Sequence, residues 1–220
     1  MDGILAAFDD ARGMTGGVIL VIQRHRTEED ALRMIREAMP WRDRVLGLGL
    51  GGPELGNPPQ KFERAFAAAR ALGWRTCAHA GEEGPASYVA DTLDVLKVDR
   101  IDHGVRCEDD PSLVRRLADS QIPLTVCPLS NVKLKVFPRL ADHNLKRLLE
   151  AGLCVTINSD DPPYFGGYVN ANYTETARAL DLSPTQQRTI LENGFKAAFL
   201  EPSIRARYLA DLARHGAAMA

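Results

Sequence analysis

Four short polar strings, each placed directly after an apolar run, contain the side chains of this chain that are best suited to chemistry. They are His79-Ala80-Gly81-Glu82, Asp102-His103-Gly104, Ser130-Asn131 and Asn158-Ser159-Asp160-Asp161-Pro162. Short apolar runs bounded by turn residues are typical of buried parallel strands, and functional groups collect at the carboxyl ends of such strands. Two histidines, one glutamate and two aspartates therefore predict a single site with the inventory of a metal-assisted hydrolase.

Each histidine or glutamate on its own also has a structural explanation. Taken singly, His79 is typical of a core histidine, Glu82 of a solvent-facing loop residue and His103 of a structural position. Gly81 lies between the first two and lets the backbone approach a ligand closely, which favours a functional site.

The adjacent aspartates have the weakest structural alternative. Asp160 and Asp161 follow a buried apolar run, where two carboxylates repel each other and lose hydration unless a cation or hydrogen-bond donors lie near them. Capping of a helix that begins at Pro162 explains Asp161 alone. His25 and His143 have no comparable context, and we interpret both as structural or surface residues.

Six strand–helix units account for most of the chain. Strand-like runs start roughly 22 to 31 residues apart, which is the length of one βα unit. The predicted strands are Gly17–Gln23, Arg44–Leu50, Arg75–Ala80, Asp99–His103, Ile122–Cys127 and Leu153–Asn158. No low-complexity tract or linker separates these units, so we predict one α/β domain over residues 1–220.

Amphipathic helices fill the intervals between the strands. Helix starts are predicted at the capping residues Thr27, Asp110 and Ser183, and the last of these helices runs to about Phe199. A helix-like segment, Ile4 to Ala11, leads into the first strand. One helix presents an apolar face suited to packing on a sheet, which is formed by Phe62, Phe66 and Ala69.

Composition and charge exclude several classes of protein. A chain of 220 residues with 45% hydrophobic and 25% charged residues is typical of a soluble globular domain. The net charge of -2 indicates neither a nucleic-acid nor a membrane partner, and no apolar run approaches the roughly 18 residues that span a bilayer. The four scattered cysteines fit neither a disulfide framework nor a Cys-x-x-Cys metal site, and the N-terminus does not resemble a signal peptide. We therefore predict a reducing, cytoplasmic location.

Two architectures can be built from six consecutive βα units. An open doubly wound sheet uses loops from only a few strands, whereas a barrel gathers side chains from nearly every strand end. Candidate site residues follow four consecutive strands, which favours the barrel. A (β/α)8 barrel needs eight strands and about 250 residues. We therefore predict an α/β fold of the (β/α)8 type that is incomplete, with about six of its eight units.

In order and spacing, the polar strings resemble the successive signatures of the adenosine and adenine deaminases, which are metal-dependent hydrolases. The matching segments are His79–Glu82, Arg100–Gly104, Cys127–Asn131, Asn158–Pro162 and a C-terminal helix motif at Asn193–Leu200. Two longer segments, Val126–Leu134 and Tyr164–Asn170, are similar to the bacterial and fungal adenine deaminases. The resemblance covers essentially the whole chain.

The resemblance implies hydrolytic deamination of adenine to hypoxanthine and ammonia, with one zinc ion that activates the attacking water. His79 and Asp160 would be zinc ligands, and Asp160 would also help to orient the water. Glu82 would protonate N1 of the purine, which requires a carboxyl group that holds its proton near neutral pH. His103 would orient the water and stabilise the developing charge.

Two further residues would bind the purine. The resemblance gives Asp161 a contact with N7 and the backbone N–H of Gly52 a contact with N3. The Gly51-Gly52 pair departs from the adenine deaminases, in which residues with side chains are common at these positions. The implied partner is thus a small purine, with no nucleic acid and no membrane.

The sequence departs from the family by lacking a His-x-His pair, which supplies two further zinc ligands in the family's first strand. Catalytic zinc normally has three protein ligands and one water. We therefore expect this chain to be the C-terminal three-quarters of a deaminase, with negligible activity of its own and with self-association through open strand edges. The alternatives left open are adenosine or an N6-substituted adenine as substrate, an inactive purine-binding remnant, and an unrelated open-sheet protein.

Overall fold

Strands and helices alternate along the chain in the computed structural model, which describes residues 1–11 and 16–217. The strands are β1 (Val18–Gln23), β2 (Val45–Gly51), β3 (Arg75–Ala80), β4 (Arg100–His103), β5 (Leu124–Val126) and β6 (Val155–Ile157). The helices are α1 (Asp2–Asp10), α2 (Glu28–Glu37), α3 (Glu63–Ala71), α4 (Ala86–Asp91), α5 (Pro111–Ser120), α6 (Pro128–Lys133), α7 (Leu145–Glu150), α8 (Pro162–Phe165), α9 (Val169–Ala179), α10 (Pro184–Ala197) and α11 (Pro202–Ala217).

All six predicted strands are confirmed, although the last two are shorter than predicted. The strand predicted over Ile122–Cys127 is limited to Leu124–Val126. Pro123 cannot donate a hydrogen bond to a neighbouring strand, and Cys127 already stands at the N-terminus of α6. Pattern reasoning therefore found the strands but placed their ends one or two residues too far out.

The first of two compact units comprises Met1–His79 and Ala90–Asp99. Within it, β1, β2 and β3 pair in parallel in chain order, with Leu20 opposite Leu48 and Leu48 opposite Thr76. The predicted apolar helix face is confirmed, because the side chains of Phe62, Phe66 and Ala69 are fully buried. Parallel pairing brings the carboxyl ends of these strands to one edge of the unit.

The second unit comprises Ala80–Val89 and Arg100–Ala220. Here β4, β5 and β6 also pair in parallel in chain order, with Ile101 opposite Leu124 and Leu124 opposite Val155. All three of these side chains are fully buried and form part of the unit's core. Loops that follow β5 and β6 therefore leave the same edge of this unit.

The predicted helix starts are confirmed by their capping hydrogen bonds. Thr27 accepts a hydrogen bond from the backbone N–H of Asp30, and Asp30 returns the contact in a reciprocal capping box. Ser183 and Gln186 form the same arrangement at the start of α10. Asp110 accepts from the first turn of α5, so local sequence alone determined where these helices begin.

Two observations concern the environment of the chain. Among the described residues, no helix is both long enough and apolar enough to cross a membrane. All four cysteine side chains are buried: Cys77, Cys107, Cys127 and Cys154.

Candidate active site

Three of the predicted site residues lie together in the second unit. Glu82 follows β3, His103 ends β4 and Asp160 follows β6. His103 Nδ1 lies 3.3 Å from Glu82 Oε1, and His103 Nε2 lies 3.9 Å from Asp160 Oδ2. The nearly fully buried imidazole thus stands between two carboxyl groups. The chain segments that follow β3, β4 and β6 therefore contribute to one site.

The backbone at these positions adopts conformations that side chains disfavour. His103 has φ +65° and Asp160 has φ +54°, in the left-handed region where a non-glycine residue costs of order 1–3 kcal/mol. Gly81 has φ +73°, and a Cβ atom there would lie 2.5 Å from Val89 Cγ2, so this position requires glycine. The surrounding structure therefore holds the loop ends in strained conformations at the points where they present polar groups.

A buried serine fixes the aspartate. Ser130 Oγ donates a 2.7 Å hydrogen bond to Asp160 Oδ2, and the serine is fully buried at the start of α6. The position of Ser130 after a predicted strand was evident from the sequence, but its hydrogen bond was not. Hydrogen bonding to a carboxylate restricts its rotation, so Ser130 determines which way the Asp160 carboxylate faces.

A buried amide fixes the glutamate. Asn131 Nδ2 donates a 2.8 Å hydrogen bond to Glu82 Oε1, and Asn131 is itself fully buried. His143 Nε2 lies 3.1 Å from Asn131 Oδ1 on the other side of the amide. The interpretation of His143 as structural is thereby confirmed and the surface alternative is wrong, because its side chain is buried.

The donor set in the second unit suits a transition-metal ion. One ligand atom each of His103, Cys127 and Asp160 lies within 4.8 Å of the others, and imidazole, thiolate and carboxylate are all zinc ligands. Burial, followed by the charges of Asp160, Glu82 and Asp102, raises the pKa of the Cys127 thiol well above its ordinary value. The same concentration of negative charge favours a cation, so the residues present fit a metal ion.

Two predicted residues lie in the first unit, at strand ends. His79 is the half-buried penultimate residue of β3, and a Cβ atom at Gly51 would lie 3.6 Å from its Cε1 atom. Gly52 follows β2 with φ +98°, a conformation that suits glycine. Sequence reasoning missed the nearby buried ion pair in which Arg24 Nη1 lies 3.8 Å from Glu54 Oε2. The available signal was a charged residue shortly after each of two predicted strands, with Arg24 directly after the first and Glu54 four residues after the second.

The remaining predicted residue, Asp161, is exposed and immediately precedes α8. Within the described residues its side chain makes no capping hydrogen bond to that helix. The capping explanation for this carboxylate is therefore wrong.

Comparison with known proteins identifies the family. A family model described as adenosine deaminase matches residues 1–214. The chain belongs to the adenosine deaminase family, which confirms the resemblance carried by the polar strings.

Among curated relatives, the adenine deaminase of Paraburkholderia phytofirmans is 56% identical over 219 residues. The alignment covers 97% of this chain and 63% of the relative, so the chain spans less than two thirds of that protein's length.

Solved structures confirm the fold class. The crystal structure of adenine deaminase from Arthrobacter aurescens matches with a TM-score of 0.94 and 42% identity, over 97% of this chain and 66% of that one. An amidohydrolase from Burkholderia ambifaria, solved with bound Zn, matches with a TM-score of 0.91 and 28% identity, over 98% of this chain and 61% of that one. The six strand–helix units thus correspond to part of the (β/α)8 barrel of metal-dependent hydrolases.

Proposed function

We propose that the protein catalyses the hydrolytic deamination of adenine to hypoxanthine and ammonia, and that zinc is its cofactor. The observation that carries the proposal is the buried group in which His103 stands 3.3 Å from the Glu82 carboxyl and 3.9 Å from that of Asp160. Identity of 56% to a curated adenine deaminase favours adenine over adenosine as substrate.

One zinc ion per full-length protein would be held by His79 and Asp160. The imidazole and carboxylate donors fit zinc, and the Ser130 hydrogen bond leaves one carboxylate oxygen of Asp160 for the metal. When bound, zinc would activate water for attack on C6 of the purine. His103 and Cys127 each have a ligand atom within 4.8 Å of one from Asp160, and we assign His103 to the reacting water rather than to the metal.

Glu82 and His103 would carry the proton transfers. In the net reaction a C6–O bond forms, the C6–N bond breaks and the amino group leaves as ammonia. A protonated Glu82 would give its proton to N1, which makes C6 electron-poor before attack. His103, within reach of both carboxyl groups, would orient the incoming water and stabilise the charge that develops on its oxygen.

Asp161 and Gly52 would bind the base. An exposed Asp161 carboxylate that is not used as a helix cap would remain available to the N7 side of the ring when N7 carries a proton. The backbone N–H of Gly52 would donate to N3. These contacts would select a purine. Residues 1–220 would form part of one catalytic domain, located in the cytoplasm.

Self-association is a further part of the proposal. β1 pairs with β2 along one edge, and Val21 on β1 is 52% exposed. A strand edge that carries exposed apolar side chains is a template for pairing with another chain. Sedimentation of the 220-residue polypeptide should therefore reveal dimers or larger species, and a monomer at micromolar concentration would refute this part.

A chimera provides the test of activity. This chain would replace the aligned 219 residues of the Paraburkholderia phytofirmans relative, with the rest of that protein retained. The chimera should hold one zinc ion and deaminate adenine much faster than adenosine, whereas the 220-residue chain alone should show negligible turnover. A chimera with Glu82→Gln serves as the matched control for background activity.

Three results would contradict the proposal. Faster turnover of adenosine than of adenine would reject the substrate. Full activity after zinc removal would reject the cofactor. Adenine binding by the 220-residue chain without zinc, together with no turnover by the chimera, would favour the purine-binding remnant instead.

A further inference from the structure

A histidine outside the proposed catalytic group occupies a buried position just before α7. His143 is 1% exposed, and its ring packs against Phe137 with 4.3 Å between the ring centroids. The backbone N–H of Leu145 donates a 3.0 Å hydrogen bond to His143 Nδ1. A backbone N–H can only donate, so Nδ1 must be the unprotonated nitrogen of this ring.

The protonation state of the ring follows from its surroundings. Burial, with the charge of Arg147 as a smaller cause, lowers the pKa of His143 to about 3. The ring is therefore neutral near pH 7 and carries its one proton on Nε2. That N–H faces Asn131 Oδ1 at 3.1 Å and donates to it.

The orientation of the Asn131 amide is determined in turn. Its oxygen accepts from His143, so its NH2 group faces Glu82 and donates to Oε1 at 2.8 Å. The reversed amide would set two donors against each other at His143, and at Glu82 it would require the proton on Oε1. Because the His143 and Asn131 side chains are buried, the two opposed donors would have no water to bond to, which disfavours the reversed amide.

We infer that His143 and Asn131 form a one-directional hydrogen-bond relay that determines which oxygen of Glu82 carries its proton. The inference rests on the proposed role of Glu82 as the proton donor to the purine. Oε1 accepts from Asn131, and the carbonyl oxygen of a protonated carboxyl is a better acceptor than its hydroxyl oxygen. The proton is therefore held on Oε2, and His143 is a positioning residue that acts on the reaction through Asn131.

Two substitutions of His143 separate this role from simple packing. Gln places an N–H near the position of Nε2, so His143→Gln keeps the donor to Asn131. Asn places an oxygen near the position of Nδ1, so His143→Asn keeps the acceptor for Leu145 but loses the donor. Both variants lose the ring contact with Phe137, which makes each the control for the other.

The activity measurement uses the chimera described above. His143→Gln should retain kcat within about threefold, whereas His143→Asn should lower kcat at least about tenfold with little change in KM, because general acid catalysis contributes about 10²–10⁴-fold. Thermal midpoints of the two variants should be similar. Equal values of kcat, or losses that follow thermal stability alone, would overturn the inference.

A second measurement on the 220-residue chain does not depend on turnover. Nitrogen-15 NMR should show His143 as the neutral Nε2–H tautomer from pH 6 to 8, and the Asn131 side-chain NH2 signals should move in His143→Asn but not in His143→Gln. An Nδ1–H tautomer or an imidazolium ion in that range would overturn the relay. If the chimera has no adenine turnover while these NMR results hold, the proposed function fails and the relay stands.

Discussion

The buried histidine before α7 should make the stability of the chain depend on pH in a defined range. His143 has its pKa lowered from 6.5 to about 3 in the folded chain, because burial disfavours the imidazolium ion. Replacing it with glutamine removes the titration while keeping a polar side chain of similar reach. The free energy of unfolding of the two proteins should then respond differently to acid.

The sign and size of the effect follow from proton linkage. Below pH 6.5 the unfolded chain binds a proton at His143 that the folded chain does not bind until about pH 3, so the histidine destabilises the fold as pH falls through this range. Each pH unit corresponds to about 1.4 kcal/mol. Between pH 8 and pH 5, the free energy of unfolding should fall by about 2 kcal/mol more in wild type than in His143→Gln.

Urea denaturation at intervals from pH 8 to pH 5 measures this difference. The range lies above the pKa values of most carboxyl groups, so their titration contributes little. His25→Gln is the matched control, because His25 is exposed and its removal leaves the buried imidazole unchanged. The reasoning is refuted if the difference in free energy of unfolding between wild type and His143→Gln stays constant within about 0.5 kcal/mol over this range. A buried neutral imidazole must make that difference change with pH.

Three further predictions concern other groups. Glu82→Gln in the chimera should lower kcat by about 10²–10⁴-fold with zinc content unchanged, as measured by steady-state kinetics and metal analysis; loss of zinc would contradict its role as a proton donor. Ser130→Ala removes the 2.7 Å hydrogen bond to Asp160 and should weaken zinc binding about 10- to 100-fold in calorimetry, whereas unchanged affinity would mean that the serine does not orient the carboxylate. Burial raises the pKa of Cys107 from 9.0 to about 12, so stability should fall as pH rises above 9, by about 1.4 kcal/mol at pH 10. Urea denaturation at pH 8 and pH 10 should show a loss of stability about 1.4 kcal/mol larger in wild type than in Cys107→Ala, which keeps the other buried thiols, and equal losses in both would count against a buried Cys107 thiol.

The elements of the fold were predictable because their signals are local. Capping boxes such as Thr27 with Asp30 involve residues three positions apart, and a buried strand is recognised from a run of a few apolar residues. The same locality explains the errors at the ends of β5, where a proline and the start of the next helix shorten the strand. Strand ends depend on pairing with neighbouring strands, and the sequence of one segment does not show which residues pair.

The candidate site was predictable in composition but not in its connections. Regular βα spacing, together with polar strings after each strand, was enough to predict that Glu82, His103 and Asp160 share one site. No local pattern indicated that Ser130 would bind Asp160, because the two are 30 positions apart and the bond exists only when their loops meet.

The sequence by itself therefore determined the strand–helix order, the helix starts and the family of the chain, since each depends on residue type and short-range spacing. Only the tertiary structure decided that His143 contacts Asn131 and that Asn131 contacts Glu82, 49 positions away. The direction of those hydrogen bonds follows from which atoms can donate once the groups are buried together. Burial and mutual orientation are properties of the packed chain. Through them the neutral His143 ring determines which oxygen of the Glu82 carboxyl group holds the proton.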